Sequence, residues 1–266
     1  MITSTRSQFD PQYSPDGKRI AFLSDRSGSE EIWTADAEGE ALRQLTHVAG
    51  PPTGSPSWSN NGSEIAFDTR LNGNPDIWVV RAEGGTPRRI TTSSAEDVVP
   101  SWSRDGNWIY FASNRGGDFQ IWKVRSVGES PSNFPVQVTK GGGFCAMETL
   151  DGKYLYFTKG RGKAGLWRRA IGDKANGQEE PVITSLQHWG WWTLAPQGIL
   201  FFEEHAETVR LVLANATGAA SRPIGDLRAP IIQATRAITV SPDGARAVYA
   251  QIDPGGADIM ALDNIQ

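Results

Sequence analysis

The chain has 266 residues, a formal net charge of -4, ten Trp and a single Cys. One Cys excludes an internal disulfide and a Cys-based zinc site. The mild acidity argues against a nucleic-acid partner, which wants a basic face, and no apolar run is long enough for a membrane span, so neither nucleic-acid binding nor membrane insertion by this domain is expected.

In chain order the elements recur. Met1-Ile2-Thr3 comes first as a short apolar stretch ending in Thr. Ser-Pro-Asp-Gly follows at 14–17, then Ile20-Ala21-Phe22, Ile32-Trp33 and Leu45-Thr46. The next unit repeats the order with Ser-Asn-Asn-Gly at 59–62, Ile65-Ala66-Phe67, Ile77-Trp78 and Ile90-Thr91. The third has Ser-Arg-Asp-Gly at 103–106, Trp108 to Phe111, Ile121-Trp122 and Val138-Thr139. Thr-Leu-Asp-Gly (149–152) and Ala-Pro-Gln-Gly (195–198) open degenerate copies, and Ser-Pro-Asp-Gly returns at 241–244. The closing glycines, Gly17, Gly62, Gly106, Gly152, Gly198 and Gly244, are spaced 45, 44, 46, 46 and 46 residues apart. That is the period of a four-stranded propeller blade, about 40–45 residues. A bulky residue follows each glycine in phase: Trp33, Trp78, Trp122, Trp167, Val212 and Met260.

Each unit reads as four short strands rich in β-branched and aromatic residues, bounded by Gly, Asn and Asp turns. The expected fold is all-β, a six-bladed β-propeller of four-stranded antiparallel blades in a single domain. Its units are 8–47, 53–92, 97–140, 144–185, 189–225 and 236–266 plus 1–4. The sixth unit stops after its third strand, Ile259 to Leu262. The N-terminal strand, residues 1–4, is predicted to complete that last blade, because Ile2-Thr3 matches Ile90-Thr91. Pairing the two ends closes the ring and removes an open sheet edge. Ends that fall inside one blade read as a segment cut from a longer protein.

The turn Asp has a local role: it bonds backbone two residues on, while Gly supplies positive φ. The repeated Trp residues read as packing between blades. Arg26, Arg70 and Arg115, with Arg161 as a looser fourth copy, follow the second strands. Because they repeat, they are expected to be structural.

The segment 14–33, Ser-Pro-Asp-Gly-Lys-Arg-Ile-Ala-Phe through Glu-Ile-Trp, resembles the WD-like repeat of TolB-type propellers, with related copies at 59–78 and 103–122. The resemblance spans nearly the whole chain. Gln197, Val212 and Met260 depart from it. It implies a binding or sensing module, as in TolB and as in the C-terminal portions of bacterial winged-helix regulators and kinases. It also implies a protein or peptide partner at the channel mouth and a periplasmic or extracytoplasmic setting. Similar propellers gate prolyl-oligopeptidase-like enzymes.

The residues carry no recognised catalytic constellation. There is no Gly-x-Ser-x-Gly elbow, no Walker loop and no His-Glu-x-x-His. Glu203-Glu204-His205 reads as a polar loop, and Cys145 as a small buried hydrophobe. Asp10 and Glu148, on or beside first strands, raise the question of a channel Ca²⁺. The six or so oxygens that such an ion takes cannot be assembled from them, so no cofactor is expected. The least repetitive loops lead into the first strands, and rigid scaffolds place recognition on such loops. The candidate ligand-binding residues at this mouth are His188, Trp189, Trp191, Glu96, Asp97 and Arg236. Three Trp between 189 and 192 either face a ligand or plug the channel as core. The expected function is therefore non-catalytic protein or peptide binding. The alternative is an enzyme or peptidase-gating propeller with a channel site, metal-dependent or not.

Overall fold

A computed structural model describes all residues except 3–5, 128–133, 173–176, 206, 228–229, 234, 254–255 and 266. No helix occurs among the described residues. The strands form six antiparallel sheets. Blade 1 is Gln8–Tyr13, Arg19–Ser24, Glu31–Asp36 and Arg43–Gln44. Blade 2 runs from Thr53–Trp58 to Arg88–Arg89, blade 3 from Asp97–Trp102 to Val136–Gln137, and blade 4 from Phe144–Glu148 to Glu179–Ile183. Blade 5 spans Trp192–Ala195 to Ser221–Leu227, and blade 6 holds Ile238–Val240, Arg246–Asp253 and Gly256–Asp263. First strands of neighbouring blades touch from blade 1 to blade 4, and again from blade 5 through blade 6 back to blade 1.

Ile2 supplies the fourth position of blade 6. It forms an antiparallel bridge to Ile259 and is 2% exposed. Thr3 and Ser4, the rest of the predicted closing strand, lie outside the described residues.

The turn after each first strand follows its chemistry. Ser14 Oγ donates to Asp16 Oδ1 at 2.6 Å, and the same oxygen accepts the Lys18 N–H at 3.1 Å. Gly17, at φ 70°, closes the turn. Equivalent bonds recur at 59–64, 103–108, 149–154 and 241–246. Blade 5 differs. Ala195 pairs directly with Gly198, leaving a two-residue hairpin at Pro196-Gln197. Without a turn carboxylate to satisfy, Gln197 donates instead to the Gly244 carbonyl of the next blade at 2.8 Å.

The gaps between blades obey a volume rule. Trp58 fills one gap opposite Ala21, and its Nε1 donates to the Gln12 carbonyl at 3.1 Å. Trp102 does the same opposite Ala66, bonding the Ser57 carbonyl at 3.1 Å. In the next gap the large and small residues trade sides. Glu148 replaces the Trp, Tyr110 replaces the Ala, and the Tyr110 hydroxyl donates to Glu148 at 2.6 Å. Leu194 with Tyr156 follows the same logic, leaving a cavity of about 310 Å³ that both residues line.

The recurring cations also sort themselves. Arg26 stacks on Phe22 and Trp33, and Arg115 on Phe111 and Trp122, all within 5.3 Å. The fourth copy is Lys159, over Phe157 and Trp167. Arg161 is released from this ladder. So is Arg70, because the second strand of blade 2 runs on to Asn72.

Candidate functional site

Four first strands carry a β-bulge at one equivalent position. There Asp10, Ser55, Val99 and Cys145 have φ of 51°, 53°, 55° and 47°. Positive φ is costly for a non-glycine residue, most of all for a β-branched one. Such strain persists where the surroundings over-determine it. Here carboxylates hold some of the turned N–H groups. Ser55 N–H donates to Asp10 Oδ2 at 3.0 Å, Arg236 N–H to Asp10 Oδ1 at 2.7 Å, and Val99 N–H to Asp68 Oδ1 at 3.4 Å. Asp10 thereby ties the first strands of blades 6, 1 and 2 together.

Above this floor lies a cavity of about 330 Å³, lined by Asp10, Gly54, Asp68, Arg70, Phe144, Arg161 and Trp189 among others. The absent side chain of Gly54 leaves room between two carboxylates. A Cβ there would sit 3.6 Å from Asp10 Oδ2 and 3.9 Å from Asp68 Oδ2. Burial, and then the nearby Asp10 charge, push the Asp68 carboxyl up to about 7. Burial also raises Asp10, opposed by the two N–H groups it accepts. Burial raises the Cys145 thiol in the same way.

Arg236 crosses the channel. It starts on blade 6, and its Nη2 donates to the Pro100 carbonyl of blade 3, on the opposite side of the ring, at 2.9 Å. It is 3% exposed, and its Nε and Nη1 bond to none of the described residues. A second cavity, about 580 Å³, opens at the other mouth among the turns, with Gln12, Asn60, Arg104 and Glu148 in its wall.

The six sequence candidates are dispersed by this geometry. Trp189 forms cavity wall, edge-on to Phe144 at 4.9 Å. Trp191 is 1% exposed, with its Nε1 donating to the Ile232 carbonyl at 2.7 Å. His188 packs on Trp191 at 4.2 Å and meets Glu204 at 2.9 Å, at the periphery. Asp97 is fully buried and held by Arg115 Nη2 at 2.8 and 2.7 Å, so it offers nothing to a ligand. Glu96 stands at the lip, its Oε2 4.0 Å from Arg70 and 3.9 Å from Arg161. Arg236 lies beneath the floor.

Asp68, Arg70 and Arg161 were not among the sequence candidates. A signal existed for Asp68. Its register equivalents are Leu23, Ala112 and Thr158, so a carboxylate there breaks the repeat.

Residues 1–236 match the sequence model of the TolB β-propeller domain. No curated protein matches the chain. Among solved structures, TolB from Acinetobacter baumannii is 21% identical with a TM-score of 0.70, over 85% of this chain and 57% of that one. This chain thus spans little more than half the length of that relative. An oligogalacturonate lyase in complex with manganese is 11% identical, TM-score 0.63, over 98% and 75%. A prolyl endopeptidase is 13% identical, TM-score 0.62, over 96% and 50%. At these identities the likeness is one of fold.

Proposed function

The chain belongs to the TolB β-propeller domain family, and from that premise we propose that it is a non-catalytic module that receives a peptide segment of a protein partner at one mouth of its channel. The observation that carries this reading is the cavity of about 330 Å³ at that mouth. It joins aromatic wall, carboxylate floor and a cationic lip on a rigid ring, the mix of apolar surface and few placed polar groups that ligand sites use. Its volume suits one or two side chains rather than a folded domain. Random peptides displayed on phage and selected on the protein test this. Binders are expected to lose the Pro52→Trp variant, which places a bulky ring at the exposed lip, while its melting midpoint stays within about 2 °C of wild type, as surface changes usually do. Failure to select any binder, or undiminished binding to the variant, overturns it.

One observation favours a second reading, an enzyme with its site in the channel. Asp68, raised to about 7 beside Asp10, has the profile of a general acid or base. That reading expects hydrolysis or elimination on a small substrate, lost in Asp68→Asn. A metal-dependent form of it further expects the melting midpoint to rise with Mn²⁺ or Ca²⁺.

A further inference from the structure

The charges around the cavity are unevenly placed. Arg70 and Arg161 stand at the lip with side chains 42% and 54% exposed, and both lean on one oxygen, Glu96 Oε2, from about 4 Å. Neither contact is a close hydrogen bond, so guanidinium N–H groups remain for a further acceptor. Arg161 is nevertheless held in place. Its guanidinium lies over Phe119 at 5.1 Å and over Phe144 at 5.2 Å, and the Phe144 ring is cavity wall. Such stacking fixes the plane of the fork at the cavity edge.

Beneath the lip, Arg236 is a buried cation with no ion pair within 4.0 Å among the described residues, and its Nε and Nη1 have no partner there. Facing Asp68 are Asp10 from blade 1, the Val99 N–H from blade 3, Arg161 from blade 4 and Arg236 from blade 6. Arg70, Arg161 and Arg236 face the carboxylates of Glu96, Asp10 and Asp68, and Glu30, which accepts the Thr53 N–H at 3.4 Å, acts on Asp10 from the cavity edge. Protonation of Asp68 removes one negative charge from the site and adds an O–H donor. A cation would have to pass two lip arginines to reach a floor that Arg236 already offsets. An anion meets the arginines first, and its arrival favours the protonated form of Asp68. Carboxylates are the acceptors that a guanidinium fork matches best among peptide groups.

Resting on the peptide-binding reading above, we propose that the captured segment presents a carboxylate to Arg70 and Arg161, and that Asp68 takes up a proton as that carboxylate binds. The source is an acidic side chain or a free chain terminus, which share this chemistry.

Four fluorescein-labelled octapeptides test it by anisotropy. Three are amidated, each with a central Trp flanked by Glu, by Gln or by Lys. The fourth is the Gln peptide with a free C-terminal carboxylate. The Glu peptide is expected to bind about tenfold more tightly than the amidated Gln peptide, one charge-assisted pair's worth, with the Lys peptide weakest. Preference for the free-terminus peptide instead identifies the source as the chain end. Affinity for the carboxylate peptide is expected to fall roughly tenfold between pH 6 and pH 8.5, as one linked proton dictates. Asp68→Asn should flatten that profile. Calorimetry near pH 7.5 in buffers of different ionisation heat should read proton uptake. Arg70→Gln and Arg161→Gln should reduce the Glu peptide to the Gln peptide's level without moving the melting midpoint. Amidated Gln peptide binding as tightly as both carboxylate peptides, tightest binding of the Lys peptide, or a pH profile that survives Asp68→Asn overturns this inference and leaves the peptide-binding reading standing. Binding of none of the four overturns both.

Discussion

Ile2 and Ile259 exchange both backbone hydrogen bonds, Ile2 N–H to the Ile259 carbonyl at 3.0 Å and the reverse at 3.1 Å. The Ile2 side chain packs with Tyr13, Phe22, Val248 and Ile259, so one residue from the chain start seals the gap between the last blade and the first. Burying an Ile side chain contributes about 1.5–3 kcal/mol. Deleting residues 1–5 is therefore expected to lower the melting midpoint by roughly 5 °C or more, at 2–4 °C per kcal/mol for a chain of this size. Thermal unfolding followed by circular dichroism checks it. An unchanged midpoint would remove Ile2 from any closing role.

The Trp58–Ala21 and Leu194–Tyr156 gaps make a second case. Trp102→Leu alone leaves space opposite Ala66 and is expected to cost about 2–4 kcal/mol, the range for large-to-small core changes. Ala66→Tyr alone overpacks against Trp102 and should cost about 1–3 kcal/mol. Made together they reproduce the pair found between blades 4 and 5. The double variant should be more stable than the sum of the singles by at least about 1 kcal/mol. Denaturant unfolding of the four proteins measures that coupling, and strict additivity would mean that the gaps are not filled jointly.

These pairs also explain what the sequence could and could not disclose. The turn glycines and the third-strand Trp recur in phase along the chain, so the period and the six units were legible from spacing. The gap partners come from different blades, about 40 residues apart. One column of the repeat shows only that Glu148 and Leu194 stand where Trp58 and Trp102 do, and not that Tyr110 and Tyr156 compensate for them from the neighbouring blades. The Ala-Pro-Gln-Gly segment kept the spacing of a turn glycine but folds as a tighter hairpin, because Gln197 bonds outward. At the mouth, loop position drew attention to Glu96, which stands beside Arg70 and Arg161, and to Trp189, which lines the cavity. It could not separate Asp97, whose charge is spent on Arg115, from Glu96 one residue earlier. Strand alternation sends those two neighbours to opposite sides.

That alternation predicts opposite phenotypes. Asp97→Ala leaves the Arg115 guanidinium, 17% exposed, without its counter-charge. Breaking such a buried pair from one side typically costs about 3–5 kcal/mol. Asp97 itself is not part of the cavity wall, so the peptide site should keep its affinity once the variant is folded. Glu96→Gln removes a lip charge with side-chain exposure of 36%. Stability should change by less than about 0.5 kcal/mol, as at most surface positions. Paired melting and anisotropy measurements separate the two. A destabilised Glu96→Gln protein would mean that the lip is structural.

Asp68 makes stability itself depend on pH, with a sign opposite to that of most carboxylates. Its carboxyl is raised from 3.8 to about 7 on folding, burial being the largest cause and the Asp10 charge the next. Between those values the folded state binds more protons than the unfolded state, so stability falls as pH rises through that window. Below it both states are protonated and above it both are ionised, so the contribution is complete by about pH 7–8 and then constant. Since Asp68 lies partly open to the cavity, screening reduces the effect to the order of 2 kcal/mol. Asp68→Asn, which cannot ionise, is expected to match wild type near pH 4 and to exceed it at pH 8 by that amount. Urea unfolding of both proteins from pH 4 to pH 8.5 measures the difference. Because Asp16, Asp151 and Asp243 are held below their usual range by turn hydrogen bonds, both proteins lose stability together at lower pH. The difference between the two curves therefore isolates Asp68. A difference that stays flat from pH 4 to pH 8.5 would mean that Asp68 ionises in the folded chain as an ordinary surface carboxylate.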